Sequence, residues 1–138
     1  MDRELNEYFR EITQGFYTKV ENRLQKYGIV KAQAQLLLLI KENDGCTQKD
    51  LATFLGIRYS SMSERLDKLE KSNYIERITD DENLKFKRIY ITKEGKLAAV
   101  QCKRILREIE DVMFKGFAKK DKKQFEDYLN KIISNLNK

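Results

Sequence analysis

The 138-residue sequence predicts a mainly α-helical protein that contains one small β-hairpin. Apolar residues recur every three or four positions through most of the chain, which is the period of an α-helix. The chain has no proline and only 6 glycines, which favours helices joined by short connections. Two short runs rich in β-branched and aromatic residues, 74–78 and 86–91, interrupt the helical pattern and indicate strands.

The first two predicted helices cover residues 3–27 and about 31–43. Gly28 is a natural end for the first helix, and the polar turn 42–45 ends the second. The second helix contains the longest apolar run of the chain, residues 36–40. One face of the first helix carries an apolar stripe made by Leu5, Phe9, Ile12, Phe16, Val20 and Leu24.

A third and a fourth helix follow, joined by a short turn. Thr47 and Asp50 have the spacing of a capping box, so the third helix is expected to begin at Thr47 and to stop at Gly56. The fourth helix is predicted at about 59–72. Its inner face is expected to carry Met62, Leu66 and Leu69, packed on a core made by Leu51, Leu55, Ile57 and Ile75.

The two strands are predicted to form a hairpin, the wing (residues 74–91), with a polar turn around 80–85. Thr92 is expected to cap a fifth helix that reaches about residue 115. Asp121, with Gln124 three residues later, is expected to open the last helix. The apolar stripe of that helix would be Phe125, Leu129, Ile132 and Leu136.

Composition argues against an enzyme. The chain contains no histidine, which removes the commonest general base and the commonest transition-metal ligand. Serine and cysteine nucleophiles normally need an adjacent base, so catalytic triad chemistry is not expected. No metal site and no cofactor are predicted.

The same inventory indicates a cytoplasmic protein. Cys46 and Cys102 lie far apart and form neither a disulfide framework nor a CxxC metal motif. No apolar run approaches the roughly 20 residues of a membrane span. The charged N-terminal residues lack the apolar segment of a signal peptide. One domain, residues 1–138, is expected.

The net charge of +6 does not by itself locate a nucleic-acid surface. Residues 44–92 carry 9 basic and 9 acidic side chains, and residues 93–138 carry 12 basic and 7 acidic ones. Segregation of charge within 44–92 is therefore the informative property. The acidic residues 80–82 stand on one arm of the wing, and basic residues occupy its tip and returning strand.

The central segment nevertheless has the form of a winged helix-turn-helix for duplex DNA. An α-helix fits the major groove, and the N-terminal half of a reading helix usually reaches the base edges. The outer face of the fourth helix concentrates short hydroxyl and charged side chains opposite its apolar anchor. The predicted DNA-binding residues are Arg58, Tyr59, Ser60, Ser61, Ser63, Glu64 and Lys68 on this helix, and Lys85, Lys87 and Arg88 on the wing.

Each of these residues also has a structural interpretation. Charges on a helix face are usually just solvated, and Ser60 or Ser61 would also serve as helix caps. Lysines on edge strands often only discourage aggregation. The acidic residues 80–82 would be repelled by phosphate, so they are expected to point away from DNA or to pair with the basic arm.

The flanking helices predict a homodimer. A winged helix of about 60 residues is too small to cover the apolar stripes of three further helices, and unburied stripes of this size usually mark interfaces. A two-fold dimer is the commonest closed solution. The winged helix-turn-helix (about 30–92) would then lie between dimerisation helices at 2–28 and 93–137. A monomeric helical bundle is the less economical alternative.

These residues resemble the multiple-antibiotic-resistance regulator (MarR) family of bacterial winged-helix repressors. The resemblance covers about residues 28–100 by motif and the whole chain by order of elements. Three departures stand out. Asn83, Leu84 and Lys85 replace the D-x-R of the wing, so the ion pair that often fixes the wing is expected to be missing. Arg58 stands where a small residue often caps the reading helix. Val30 replaces the usual threonine cap before the second helix. The matching residues are Gln33, Leu37, Thr47, Asp50, Leu51, Ala52, Ser60, Ser61, Ser63, Asp67, Leu69, Glu70, Ile75, Arg77, Ile91, Thr92 and Gly95.

The resemblance implies a homodimer that binds a pseudo-palindromic operator in double-stranded DNA and represses transcription until a small aromatic or anionic effector releases it. Tyr8, Phe9, Phe16 and Tyr17 would line an effector pocket, with dimer core as the favoured alternative for them. Redox sensing by Cys46, which precedes a helix N-terminus, is a minor alternative. A winged-helix protein-interaction module without DNA binding is the competing function, motivated by the neutral charge balance of residues 44–92.

Overall fold

The computed structural model describes residues 2–138 and has the predicted mainly helical architecture with one two-stranded antiparallel sheet. The described residues form two compact units that divide after Leu106. Each predicted helix and strand is present, with ends shifted by a few residues. The elements are α1 (Leu5–Gln25), α2 (Lys31–Glu42), α3 (Gln48–Leu55), α4 (Tyr59–Lys71), β1 (Ile75–Thr79), β2 (Lys87–Ile91), α5 (Lys93–Met113) and α6 (Lys119–Leu136).

The core of the first unit lies between α2, α3, α4, the hairpin and the start of α5. The predicted anchors Met62, Leu66 and Leu69 are fully buried, as the 3–4 spacing of α4 requires. Leu55 was expected in this core and is instead 37% exposed, because it stands at the last position of α3 beside the turn. The buried cluster comprises Leu36, Leu37, Ile40, Leu51, Ala52, Met62, Leu66, Leu69, Ile75, Ile89, Ile91 and Ala99.

The predicted capping box opens α3. The Thr47 hydroxyl accepts from the Asp50 amide at 3.1 Å, and the Asp50 carboxylate accepts from the Thr47 amide at 3.2 Å. Gly56 ends the helix with a φ of +63°, a left-handed conformation that glycine adopts without steric cost. The turn therefore delivers the chain directly into α4.

The hairpin pairs Ile75 with Ile91 and Thr79 with Lys87 at its two ends. The segment 45–47, which follows the polar turn at the end of α2, lies beside β2 and forms an isolated bridge between Thr47 and Arg88. The Gly45 amide donates to the Ile89 carbonyl at 2.7 Å, and the Ile89 amide donates to the Cys46 carbonyl at 2.8 Å. This pairing joins the wing to the segment that leads into α3.

The start of α5 packs closely on the hairpin. The Thr92 hydroxyl accepts from the Gly95 amide at 3.0 Å, which confirms the predicted cap. A Cβ atom added to Gly95 would lie 2.0 Å from the Tyr74 carbonyl oxygen and 2.8 Å from Cγ1 of Ile91. Only glycine allows the helix to approach the strands this closely.

The predicted start of α6 was wrong. The helix begins at Lys119, with Ala118 in the extended conformation that precedes a helix, and Asp121 lies inside the first turn. A carboxylate there complements the positive end of the helix dipole without acting as a cap. The spacing of Asp121 and Gln124 therefore marked the region of the helix start and missed the residue.

The terminal helices keep much of their apolar surface exposed. In α1 the stripe is buried only at Val20 and Leu24, whereas Leu5 is 73% exposed. In α6 no residue is buried, and Leu136 is 79% exposed. Among residues 2–138, no helix is long and apolar enough to cross a membrane.

Candidate nucleic-acid interface

Helix α4 divides cleanly between a buried and an exposed face. Ser60, Glu64 and Lys68 follow one another at steps of four, so they share one line along the helix, and all three are exposed. Tyr59 and Arg58 extend this exposed surface at the N-terminal end. The remaining predicted contacts of this helix, Ser61 and Ser63, are half-buried at the margin of the face.

The N-terminal end of α4 is not closed by a side chain. Arg58 occupies the N-cap position and its side chain makes no capping bond. Ser60 and Ser61, for which capping was the alternative role, lie within the first turn. The hydrogen-bond ladder of the helix starts with the Met62 amide, which donates to the Arg58 carbonyl at 3.0 Å. The amides before it lie at the positive end of the helix dipole, a favourable position for an anionic group.

An ion-pair cluster attaches α4 to β1. The Arg77 guanidinium donates to Glu70 at 3.2 and 3.3 Å and also pairs with Asp67. The hydrogen bond that Glu70 accepts from Arg77 is the largest cause of the lowered pKa of Glu70. The hydrogen bonds to Glu70 and Asp67 in turn raise the pKa of Arg77, and the bond to Glu70 has the larger effect. Asp67, Glu70 and Arg77, which match the family motif, thus form a cluster that holds the wing against α4.

The turn of the wing presents its lysines to solvent. The Lys85 amide donates to the Asn83 side chain at 3.1 Å, which orders the backbone while the Lys85 side chain stays exposed. Lys87 is also exposed, and its positive charge contributes to the lowered pKa of Glu70. Lys87 pairs with Thr79, two positions after Arg77, so strand alternation places it on the face of the wing that carries Arg77 and faces α4.

Arg88 differs from the two lysines. Its guanidinium donates to the Asp80 carboxylate at 3.2 Å and to the Gly45 carbonyl at 2.9 Å. The predicted pairing of the acidic run with the basic arm is therefore present at Asp80. The D-x-R ion pair is missing, because Asn83 and Lys85 occupy its positions, but Asp80 and Arg88 supply another ion pair outside the 83–85 motif.

The environment of Cys46 does not favour a reactive thiolate. Burial is the largest cause that raises the pKa of its thiol, and the negative charge of Asp50 adds to the effect. The sequence analysis had considered the reverse shift from the helix N-terminus. The loss of hydration and the nearby carboxylates outweigh the backbone hydrogen bond that favours the thiolate.

Of the four aromatic residues of α1, Tyr8 and Phe9 are exposed and Phe16 and Tyr17 are half-buried in the single chain. Phe16 and Tyr17 make an edge-to-face contact with ring centroids 5.2 Å apart, and the Lys31 ammonium stands 4.0 Å from the centre of the Tyr17 ring. An open groove lies nearby, between the end of α1 and the start of α2, and is lined by Glu21, Asn22, Gln25, Gly28, Ile29, Val30, Lys31 and Ala32.

Comparison with known proteins places this arrangement in one family. The sequence profile of the MarR family matches residues 29–86, from the end of the α1–α2 turn into the wing. A solved structure from Clostridium acetobutylicum, assigned to the MarR family of transcriptional regulators, is 31% identical, with 94% of this chain and 96% of that chain covered and a TM-score of 0.72.

Two further relatives agree with this assignment. The uncharacterised HTH-type transcriptional regulator YybA of Bacillus subtilis (strain 168) is 25% identical over 108 residues, which is 78% of this chain and 72% of YybA. The S. aureus MepR–DNA complex has the same fold, with a TM-score of 0.84, 24% identity and coverage of 97% of this chain and 99% of MepR. The chain belongs to the MarR family of transcriptional regulators.

Proposed function

We propose that the chain is a homodimeric, sequence-specific DNA-binding transcriptional regulator that represses its target genes. One observation supports this most strongly. Helix α4 is anchored by three fully buried residues and exposes a line of hydroxyl, acidic and basic side chains beside a wing with exposed lysines. This arrangement fits a reading helix in the major groove with a wing on the adjacent backbone.

The side chains of α4 divide into base contacts and phosphate contacts. Glu64 accepts from a cytosine amino group, and Lys68 meets a guanine or a phosphate. The short serines 60, 61 and 63 permit close approach to the groove floor. Arg58 and Tyr59, at the open helix N-terminus, bind phosphate together with the first-turn amides.

The wing adds phosphate contacts through Lys85 and Lys87. Both side chains are exposed, and Lys87 lies on the α4 side of the wing. Two positive charges next to the reading helix strengthen binding to the DNA backbone without reading sequence.

The exposed apolar stripes of the terminal helices support the homodimer. Leu5, Phe9 and Ile12 of α1 are about half exposed or more, and Leu136 of α6 is almost fully exposed. A second copy would cover these side chains by pairing the N-terminal and C-terminal helices. A dimer places two reading helices about 34 Å apart, one turn of DNA, and so requires a pseudo-palindromic operator.

A small aromatic or anionic effector is proposed to release the repressor by favouring a dimer geometry that no longer matches groove spacing. Tyr8, Phe9, Phe16 and Tyr17 are the pocket residues in that proposal; the exposure of Tyr8 and Phe9 favours the alternative, that they form dimer core. The protein is proposed to act in the cytoplasm and to have no enzymatic activity.

A mobility-shift assay tests DNA binding directly. The DNA flanking the gene of this protein is the probe, and a fragment of scrambled sequence is the control, over a series of salt concentrations. Binding to the flanking DNA should be tighter than to the control and should weaken as salt rises, because phosphate neutralisation releases counterions. Retardation of both fragments alike, or of neither, would overturn the proposal.

A pair of lysine variants tests the surface. Lys68→Ala should weaken binding more than Lys138→Ala, which removes the same charge from the last residue of the chain. Equal affinities for the two variants would remove Lys68 from the interface.

A further inference from the structure

We propose that Arg88 is a positioning residue that holds the wing in its DNA-binding orientation and is not itself a phosphate contact. The inference deepens the proposed function and rests on it. The Arg88 clasp consists of the Arg88 guanidinium, the Asp80 carboxylate and the Gly45 carbonyl. With Arg88 held in this clasp, Lys85 and Lys87 supply the phosphate contacts of the wing.

The guanidinium is already engaged on two sides. Its Nε donates to Oδ2 of Asp80 at 3.2 Å, one terminal nitrogen lies 3.2 Å from the same carboxylate, and the other donates to the Gly45 carbonyl at 2.9 Å. The fork geometry of arginine permits this simultaneous bonding, which a lysine could not reproduce. The Asp80 side chain is only 13% exposed, so its charge needs a partner in the folded protein.

Asp80 organises the turn with its other oxygen. Oδ1 accepts from the Glu82 amide at 3.0 Å, and the Asp80 amide donates to the Phe86 carbonyl at 2.8 Å. The turn that these bonds close, residues 80–86, contains neither glycine nor proline. The side chains of Asp80 and Asn83, which accept from the amides two residues on, shape this turn instead.

The Arg88 clasp also connects the wing to the segment that leads into α3. Gly45 lies in the segment 45–47 beside β2, two residues before the Thr47 cap of α3. A two-stranded hairpin is marginally stable by itself. Arg88 therefore links three segments, the turn, β2 and the approach to α3, and fixes the direction in which the exposed lysines project.

The two possible roles of Arg88 make opposite predictions for Asp80→Asn. If Arg88 bound phosphate, loss of the carboxylate would free the guanidinium and remove a repulsive charge, so DNA would bind more tightly. If Arg88 positions the wing, the asparagine side chain has one acceptor oxygen and no charge, so it cannot serve both the guanidinium and the Glu82 amide. The clasp then weakens, and DNA binds more weakly although the protein has become more positive.

The experiment measures the dissociation constant for the flanking DNA by fluorescence anisotropy at fixed salt. Asp80→Asn, Arg88→Gln and the double variant are compared with Asp81→Asn, which makes the same change of charge at an exposed neighbouring position. Each single clasp variant should weaken binding about five- to tenfold, and the double variant should be no weaker than either single one, as for a coupled pair. Asp81→Asn should bind as wild type or slightly more tightly.

Tighter binding by Asp80→Asn, or additive effects of the two substitutions, would overturn the proposal. A second measurement needs no DNA. Hydrogen exchange of the Asp80 and Ile89 amides in the free protein should be faster in both clasp variants and unchanged in Asp81→Asn, with unfolding midpoints confirming that all variants fold. Unchanged exchange would refute the clasp even where the wild-type protein bound no fragment, so this failure is distinct from a failure of the proposed function.

Discussion

Replacing Gly95 by alanine should destabilise the protein strongly, although alanine favours helices. Gly95 lies in the first turn of α5, where an added Cβ would be 2.0 Å from the Tyr74 carbonyl oxygen. Ordinary van der Waals contact begins at 3.4 Å, so the carbonyl or the helix must shift by 3.4 − 2.0 = 1.4 Å. The Tyr74 carbonyl is the acceptor for the Thr92 amide at 3.0 Å, and the shift would break this bond.

The expected loss follows from these contacts. Overpacking costs about 1–3 kcal/mol, and the lost backbone hydrogen bond adds about 1 kcal/mol. The helix propensity of alanine returns about 1 kcal/mol. The free energy of unfolding should therefore fall by about 1–3 kcal/mol.

Urea denaturation followed by circular dichroism measures this change at one fixed protein concentration. Gly15→Ala is the matched control, because Gly15 lies within α1 and an added Cβ meets no atom within 4 Å. That variant should be more stable than wild type by up to about 1 kcal/mol. A Gly95→Ala protein within about 0.5 kcal/mol of wild type would refute the close-approach argument.

Thr47→Ala should cost about 1 kcal/mol of unfolding free energy by urea denaturation through loss of the capping bond, and an unchanged midpoint would contradict the cap. Arg77→Gln should cost about 1 kcal/mol at pH 7, a value discounted because the carboxylates of Asp67 and Glu70 are 53% and 45% exposed. Since the pKa of Glu70 is lowered in the folded state, this stabilisation is present above its ordinary value of 4.5 and is lost as pH falls through the lower folded pKa; a difference between variant and wild type that grew on acidification would contradict the sign. Iodoacetamide should label Cys46 more slowly in the folded than in the urea-unfolded protein, because burial raises the pKa of the thiol, and equal rates by mass spectrometry would contradict the buried environment.

The elements whose signals are local could be predicted from the sequence. The capping box at Thr47, the left-handed turn at Gly56 and the cap at Thr92 each depend on residues within three or four positions, and all three are present. The inner face of α4 follows from the helical period for the same reason. The start of α6 was misplaced because an acidic residue in the first turn and an N-cap residue look alike in a single sequence.

Contacts between distant residues could not be predicted. The hydrogen bond from Arg88 to Gly45 joins residues 43 positions apart, and no local sequence pattern near either residue predicts it. Strand alternation places Arg88 on the face opposite the buried Ile89, but it does not predict which carboxylate or carbonyl the Arg88 side chain contacts. Of the three basic wing residues in the candidate DNA surface, Arg88 therefore has internal partners that the sequence did not indicate.

Thr47 belongs to two elements at once. It forms a bridge with Arg88 at the edge of the sheet and caps α3 with its hydroxyl. Thr47 is followed directly by Gln48, the first residue of α3, so no connecting loop separates the edge of the sheet from the helix. A change in the tilt of the sheet is therefore expected to be transmitted directly to α3.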